Sequence, residues 1–135
     1  MPFDDDASLV GDVELVRVLV DKNWYGKRDD GSERASKAAF IDSRNENSCF
    51  VLKETDFALI AGRFPDKKLA AVTADAAREA GFIIARDDEG GDGIPGHVLL
   101  IQQRERPRSK QHDRLARQLA NSARIIDPAI RNEPE

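Results

Sequence analysis

Val13-Glu14-Leu15-Val16-Arg17-Val18-Leu19-Val20 is the stretch on which the fold turns. Six of its eight residues are apolar and four are valine, a composition that favours extended backbone over helix. Successive strand residues face opposite sides, so the adjacent pairs Leu15-Val16 and Val18-Leu19 put apolar groups on both faces. A strand apolar on both faces needs cover on both, and this one reads as a central strand. Glu14 lies near its start, and Arg17 is the one charge in its middle.

Downstream, Asp30-Gly31 is a turn signal, and a hairpin is expected to return through Ala38-Ala39-Phe40-Ile41. Arg44 to Asn47 reads as the next turn and Cys49-Phe50-Val51-Leu52 as a short strand. Thr55 is read as the N-cap of a short helix that Pro65 stops. Ala70-Ala71-Val72 reads as a brief strand, and Thr73 as the cap of a helix over Ala74 to Ala80, with Gly81 in the position of a C-terminal glycine. Phe82 to Ala85 and His97 to Ile101 read as paired strands flanking the acidic, glycine-rich loop Asp87 to Gly93. Ser109 opens the longest helix, expected from Lys110 to Ile126 and ended by Pro128.

Short strands in mixed order with three helices predict an α+β fold, with a mixed or mainly antiparallel sheet of five to six strands and the longest helix C-terminal. The length of 135 residues suits one domain with a genuine core. Residues 1–11 read as a loose acidic lead-in, 12–127 as the domain and 128–135 as a mobile tail.

Composition removes several function classes. No apolar run approaches the roughly 20 residues of a membrane span, and the acidic start Met-Pro-Phe-Asp-Asp-Asp is unlike a secretory leader, so a cytoplasmic protein without membrane contact is expected. A single cysteine cannot form an internal disulfide, and no metal site is expected. Neither phosphate-loop pattern, G-x-x-x-x-G-K-[ST] or G-x-G-x-x-G, occurs, and no cofactor is expected. A calcium loop counted from Asp88 fails at Gly90 and Leu99, where ligands belong.

The net charge of −4 is unevenly spread. Residues 104–124 hold seven Lys and Arg against two acids, a balance of +5, so the rest of the chain carries −9. If one helix runs through this segment, Leu115, Leu119, Ala123 and Ile126 form its apolar stripe, and Lys110, Arg117 and Arg124 recur on the opposite face with Arg114 at the edge. That basic face is a candidate contact for an acidic protein or for RNA or DNA phosphate. A second candidate surface is Trp24-Tyr25, beside Arg28 and followed by Arg34. Its rings and cations suit a protein interface or base stacking.

Chemistry has one main candidate. His97 opens a strand after Ile94-Pro95-Gly96, where its ring could serve as acid or base, with Ser36 and Arg34 as loop residues that folding could bring near it. A thiolate pairing of Cys49 with His97 or His112 has no local signature.

The order Trp24-Tyr25, Gly31, Arg34, Ser36, Phe40, then Ala74 to Gly81 and Pro95-Gly96-His97, resembles small bacterial single-domain proteins of no assigned activity, over about residues 14–124. The resemblance implies a whole one-domain protein and a site joining the 24–40 loop to His97. The leading functional expectation is a cytoplasmic protein-interaction module: a subunit, an antitoxin- or immunity-like partner, or an adaptor. The alternatives are an enzyme acting on nucleic acid or nucleotides through His97, and a non-catalytic RNA- or DNA-binding protein.

Overall fold

The computed structural model describes residues 4–104 and 109–127. In chain order it holds β1 (Glu14–Leu19), β2 (Tyr25–Lys27), β3 (Glu33–Ala35), β4 (Asn47–Val51), α1 (Phe57–Arg63), β5 (Lys68–Thr73), α2 (Ala74–Glu79), β6 (Phe82–Arg86), β7 (His97–Gln102), α3 (Lys110–Ser122) and β8 (Arg124–Ile126). The fold is α+β. Six strands form one antiparallel sheet in the order β6-β7-β4-β1-β5-β8, and β2 and β3 form a separate hairpin.

The valine-rich stretch is central, as its two apolar faces require. β1 pairs with β5 along its whole length and with β4 at Leu15 and Val16. Leu15 and Leu19 lie in a core with Ala74 and Ala77 of α2 and Ala116, Leu119 and Ala120 of α3. Val16 and Val18 face the other way, into a core with Phe50, Leu69, Ile94 and Ile60 of α1. Helices therefore cover both faces of the sheet, which accounts for the lack of a polar side on β1.

Arg17 shares a face with Leu15 and Leu19. It is 7% exposed, and its guanidinium donates to two carbonyl oxygens, Ala39 O from Nε at 2.7 Å and Ser48 O from Nη1 at 2.8 Å. The Trp24 ring lies over it, 4.6 Å from Cζ to the ring centroid. The strand's one interior charge is thus a buried brace between β1, β4 and the turn at Ala39. Burial lowers its pKa below the ordinary arginine value.

Several sequence expectations change. The hairpin closes over Asp30-Gly31, with Gly31 at φ +87°, but returns through Glu33–Ala35, while Lys37–Phe40 is a 3-10 turn. Early return lets Ala39 and Phe40 enter the core beneath α3 from a tight turn. The first helix is capped by Asp56, whose carboxylate accepts from Ala58 N, and not by Thr55. Thr73 caps α2 as expected, and Gly81 follows at φ +84°. The last helix stops at Ser122, because Ile125 and Ile126 pair with Ala70 and Leu69 as an edge strand where β-branched side chains are better accommodated.

Residues 4–11, expected to be loose, are tied down. Asp5 bridges Ala85 on the outer edge of β6, its carboxylate accepts from Ile84 N, and Leu9 is buried. Arg78 of α2 holds both Asp5 and the carbonyl of Asp6. Acidity here docks a segment against a sheet edge, where the sequence suggests only a loose acidic lead-in. The tail over 128–135 and most of the linker 104–108 lie outside the described residues.

Candidate functional site

The helix α3 starts at Ser109, whose backbone N–H donates to His112 Nδ1 at 3.0 Å, a side chain reaching back over the first turn. At about 100° per residue, Lys110, Arg114, Arg117 and Asn121 fall within an arc of about 60° and extend along roughly 16 Å of axis. All four are exposed. Leu119, on the opposite side of the helix, is fully buried with Ala116 and Ala120. Gln111 and Gln118, also exposed, flank the ridge with neutral hydrogen-bonding groups. Among the described residues, none of Lys110, Arg114 and Arg117 has a carboxylate within ion-pair distance.

Arg124 does not join them. It lies on β8, where Nε and Nη2 each donate to the Glu14 carboxylate at 2.9 Å, and that contact raises its pKa. Only a helix continued through residue 126 would place it on the ridge. The structure supplies other basic neighbours instead, because β3 and the 37–40 turn pack against α3. These carry Arg34, exposed, and Lys37, half-buried.

The aromatic pair behaves differently from a stacking platform. Trp24 ends a 3-10 turn and Tyr25 begins β2, so strand alternation does not separate them. Both are half-buried against the core. Trp24 covers Arg17, and Lys68 Nζ lies 5.6 Å from the Tyr25 ring centroid. Lys68 also pairs with Glu33, which raises its pKa. Arg28 is exposed, and its Nη1 donates to Glu33 O at 3.0 Å across the hairpin. These groups brace the hairpin.

Ser36 and His97 are not brought together. The Ser36 hydroxyl donates to Asn23 O at 2.8 Å beside the turn that packs under α3, whereas His97 lies on the opposite face of the sheet against Phe50, with ring centroids 5.3 Å apart. Its partners are Ser48 and Asp87. Ser48 Oγ is 2.5 Å from Nε2, Asp87 O is 3.0 Å from Nδ1, and Asp87 Oδ2 is 3.3 Å from Nδ1. The ring is 4% exposed, and the backbone of Gly90 and Gly91 lies directly on it. A Cβ on either glycine would come within 2.9 Å of ring atoms, so this loop needs glycine for close approach.

Sequence reasoning found His97 and missed both partners. β4 and β7 pair so that Phe50 opposes His97, which puts Ser48 one position along on the same face. That register exists only once the sheet is assembled. Cys49, the residue between them, points to the other side and is fully buried, with burial pushing its thiol up to about 12 despite nearby Arg17. No pairing with His97 or His112 arises.

Among the described residues, no three His, Cys, Asp or Glu side chains are grouped to hold a metal ion. No helix among them is long and apolar enough to cross a membrane. Fold and surface together define a small α+β protein with an antiparallel sheet between helices and one basic helix face. No family model, curated protein or solved structure matches the chain.

Proposed function

We propose that this chain is a protein-interaction module, a subunit or adaptor whose partner presents a carboxylate-rich surface to the outer face of α3. The observation that carries this reading is the ridge of Lys110, Arg114 and Arg117, three exposed cations with no acidic partner among the described residues, on the side of the helix opposite its buried stripe. Stability does not explain their position. Lys110 sits in the first helical turn, where the helix macrodipole disfavours a cation. General solubility does not explain it either, since the protein is acidic overall and gains nothing from a local patch of the opposite sign.

A protein partner is favoured over nucleic acid because Arg124 is withdrawn into its pair with Glu14, leaving a short ridge on a chain of net charge −4. A few cations neutralise only a few phosphates, and the acidic body repels the rest of a polyanion. Exposed Gln111, Gln118 and Asn121 fit the mixed polar rim of a protein interface. The reduced, buried Cys49 is in keeping with a reducing cytoplasmic location.

The test is site-specific photo-crosslinking from Gln111 and Gln118 in cells of the source organism, with and without the triple substitution Lys110→Glu, Arg114→Glu, Arg117→Glu. The expected result is one discrete, nuclease-resistant protein adduct that the triple variant loses, and that returns when the partner's acidic residues at the crosslink are changed to lysine. An adduct that disappears with nuclease would transfer the surface to nucleic acid. An adduct indifferent to charge reversal would remove α3 from the interface.

A further inference from the structure

We infer that Ser48 is a nucleophile toward small acyl esters, with His97 as its base and Asp87 holding the imidazole. This goes beyond the docking role of α3 and lies on the other face of the sheet.

The hydrogen bonds fix the protons. Nδ1 of His97 faces the main-chain oxygen of Asp87 at 3.0 Å, and a carbonyl oxygen only accepts. Nδ1 therefore carries the hydrogen of the neutral ring, and its lone pair lies on Nε2. The Ser48 hydroxyl, 2.5 Å from Nε2, is then the donor and its oxygen lone pairs face away from the ring. A hydroxyl on Nε2 with a carboxylate at Nδ1 is the arrangement in which imidazole accepts a serine proton.

Each member is held from more than one side. Phe50, Gly90 and Gly91 confine the imidazole. Asp92, in the same glycine-rich loop, is tied to Arg63 of α1 at 2.7 Å. Arg17, reaching from the opposite face, fixes the carbonyl of Ser48 itself. The ring is closed off, yet Ser48 is partly exposed. A buried base beside an accessible hydroxyl is the placement a nucleophile requires. Ser48 lies across from Leu99 and two residues before Phe50, so the groups flanking it are apolar and suit a short, uncharged acyl chain.

In the reaction, Ser48 Oγ attacks the ester carbonyl carbon as Nε2 takes the hydroxyl proton, and the carbonyl π pair moves onto oxygen. As that pair returns, the bond from carbon to the leaving alcohol oxygen breaks and the alcohol departs with the proton from Nε2. Ser48 then bears the acyl group as an ester. Water attacks the same carbon and gives a proton to Nε2. The acyl–Oγ bond breaks, Oγ recovers that proton, and the carboxylic acid is released. Asp87, a positioning residue, keeps Nδ1–H in place and stabilises the transient imidazolium.

The experiment uses the folded full chain with an alkyl fluorophosphonate and with 4-nitrophenyl acetate. The expected result is one phosphonyl group per chain, mapped to Ser48, and a 4-nitrophenol burst approaching one equivalent. Ser48→Ala should abolish the adduct, and His97→Gln should slow labelling at least about 100-fold. Asp87→Asn keeps the main-chain acceptor and should slow labelling about tenfold while the 15N spectrum still shows His97 with hydrogen on Nδ1. Because the wild-type adduct is itself decisive, a variant that fails to fold does not blunt the test. Absence of a Ser48 adduct on the wild-type chain, equal labelling of Ser48 after unfolding in urea, or a ring carrying its hydrogen on Nε2 would each overturn the inference.

Discussion

Replacing Arg17 by Met keeps a flexible stem of similar length and removes the guanidinium. Two carbonyl oxygens, the buried Ala39 O and the partly buried Ser48 O, then lose donors at 2.7 and 2.8 Å. Each orphaned acceptor costs about 1–3 kcal/mol, and loss of the stack on Trp24 adds about 1 kcal/mol. Relief from burying a cation offsets part of this, since an isolated buried charge carries a penalty of several kcal/mol. The net expectation is a loss of about 2–4 kcal/mol, a large share of the roughly 5–15 kcal/mol that holds an ordinary domain together.

Urea titration followed by fluorescence measures this directly, because Trp24 is the only tryptophan and lies over the substituted group. The midpoint should fall with little change in slope, and the melting temperature should fall by about 10 °C for a 3 kcal/mol loss at this chain length. Native emission should also change, since the cation has left the ring. A loss under about 1 kcal/mol would refute the reasoning: the two carbonyls would then find other donors, and Arg17 would not be the brace between β1, β4 and the turn at Ala39.

Three further outcomes follow from the same structure. Gly91→Ala, at φ +75° with a Cβ 2.8 Å from the His97 ring, should cost well over 2 kcal/mol, whereas Gly93→Ala, at φ +80° with open space around it, should cost only about 1 kcal/mol by thermal melting. The Ser8 hydroxyl and Arg86 hold Asp6 down at about 2 from an ordinary 3.8. The stability this carboxylate contributes is therefore complete above about pH 4 and lost as pH falls toward 2; Asp6→Asn should flatten acid unfolding in that window. Cys49, pushed up to about 12, should resist a thiol-specific disulfide reagent at pH 8 in the native chain and react with one equivalent once urea unfolds it.

How much the sequence reveals depends on the range of the interaction. β1, α2 with its Thr73 cap and Gly81, and the β6–β7 pair rest on local periodicity and capping, and these were legible residue by residue. The last helix was over-extended because Ala123, Arg124, Ile125 and Ile126 continue an amphipathic pattern equally well. What ends the helix is pairing with β5, more than 50 residues away in the chain. Acidic residues near the start looked loose for a related reason: their partners, Arg78, Ile84 and Arg86, lie over 70 residues downstream. His97 stood out by its rarity, but Ser48 is one serine among many until β4 registers against β7.

The two proposed activities occupy opposite sides of one sheet, and Arg17 is a buried brace between strand β4, which carries Ser48, and the turn at Ala39, which packs against α3. Its side chain projects on the face of β1 that carries Leu15 and Leu19, while its Nη1 fixes the backbone of Ser48, whose side chain emerges on the far face. Alternation along β4 makes this geometry unavoidable, since the carbonyl lies in the plane of the sheet while the side chains project above and below it. Charge reversal on the α3 ridge should accordingly leave phosphonylation of Ser48 unchanged, because the ridge is separated from the serine by the buried stripe of the helix and the sheet itself. Arg17→Met should depress both activities, first through loss of the folded state. If charge reversal on α3 did alter Ser48 labelling, the sheet would be transmitting the change. Packed interiors respond in that way only where two discrete arrangements exist, and Arg17, bonded to Ser48 O and stacked on Trp24, would be the first residue to test for a second one.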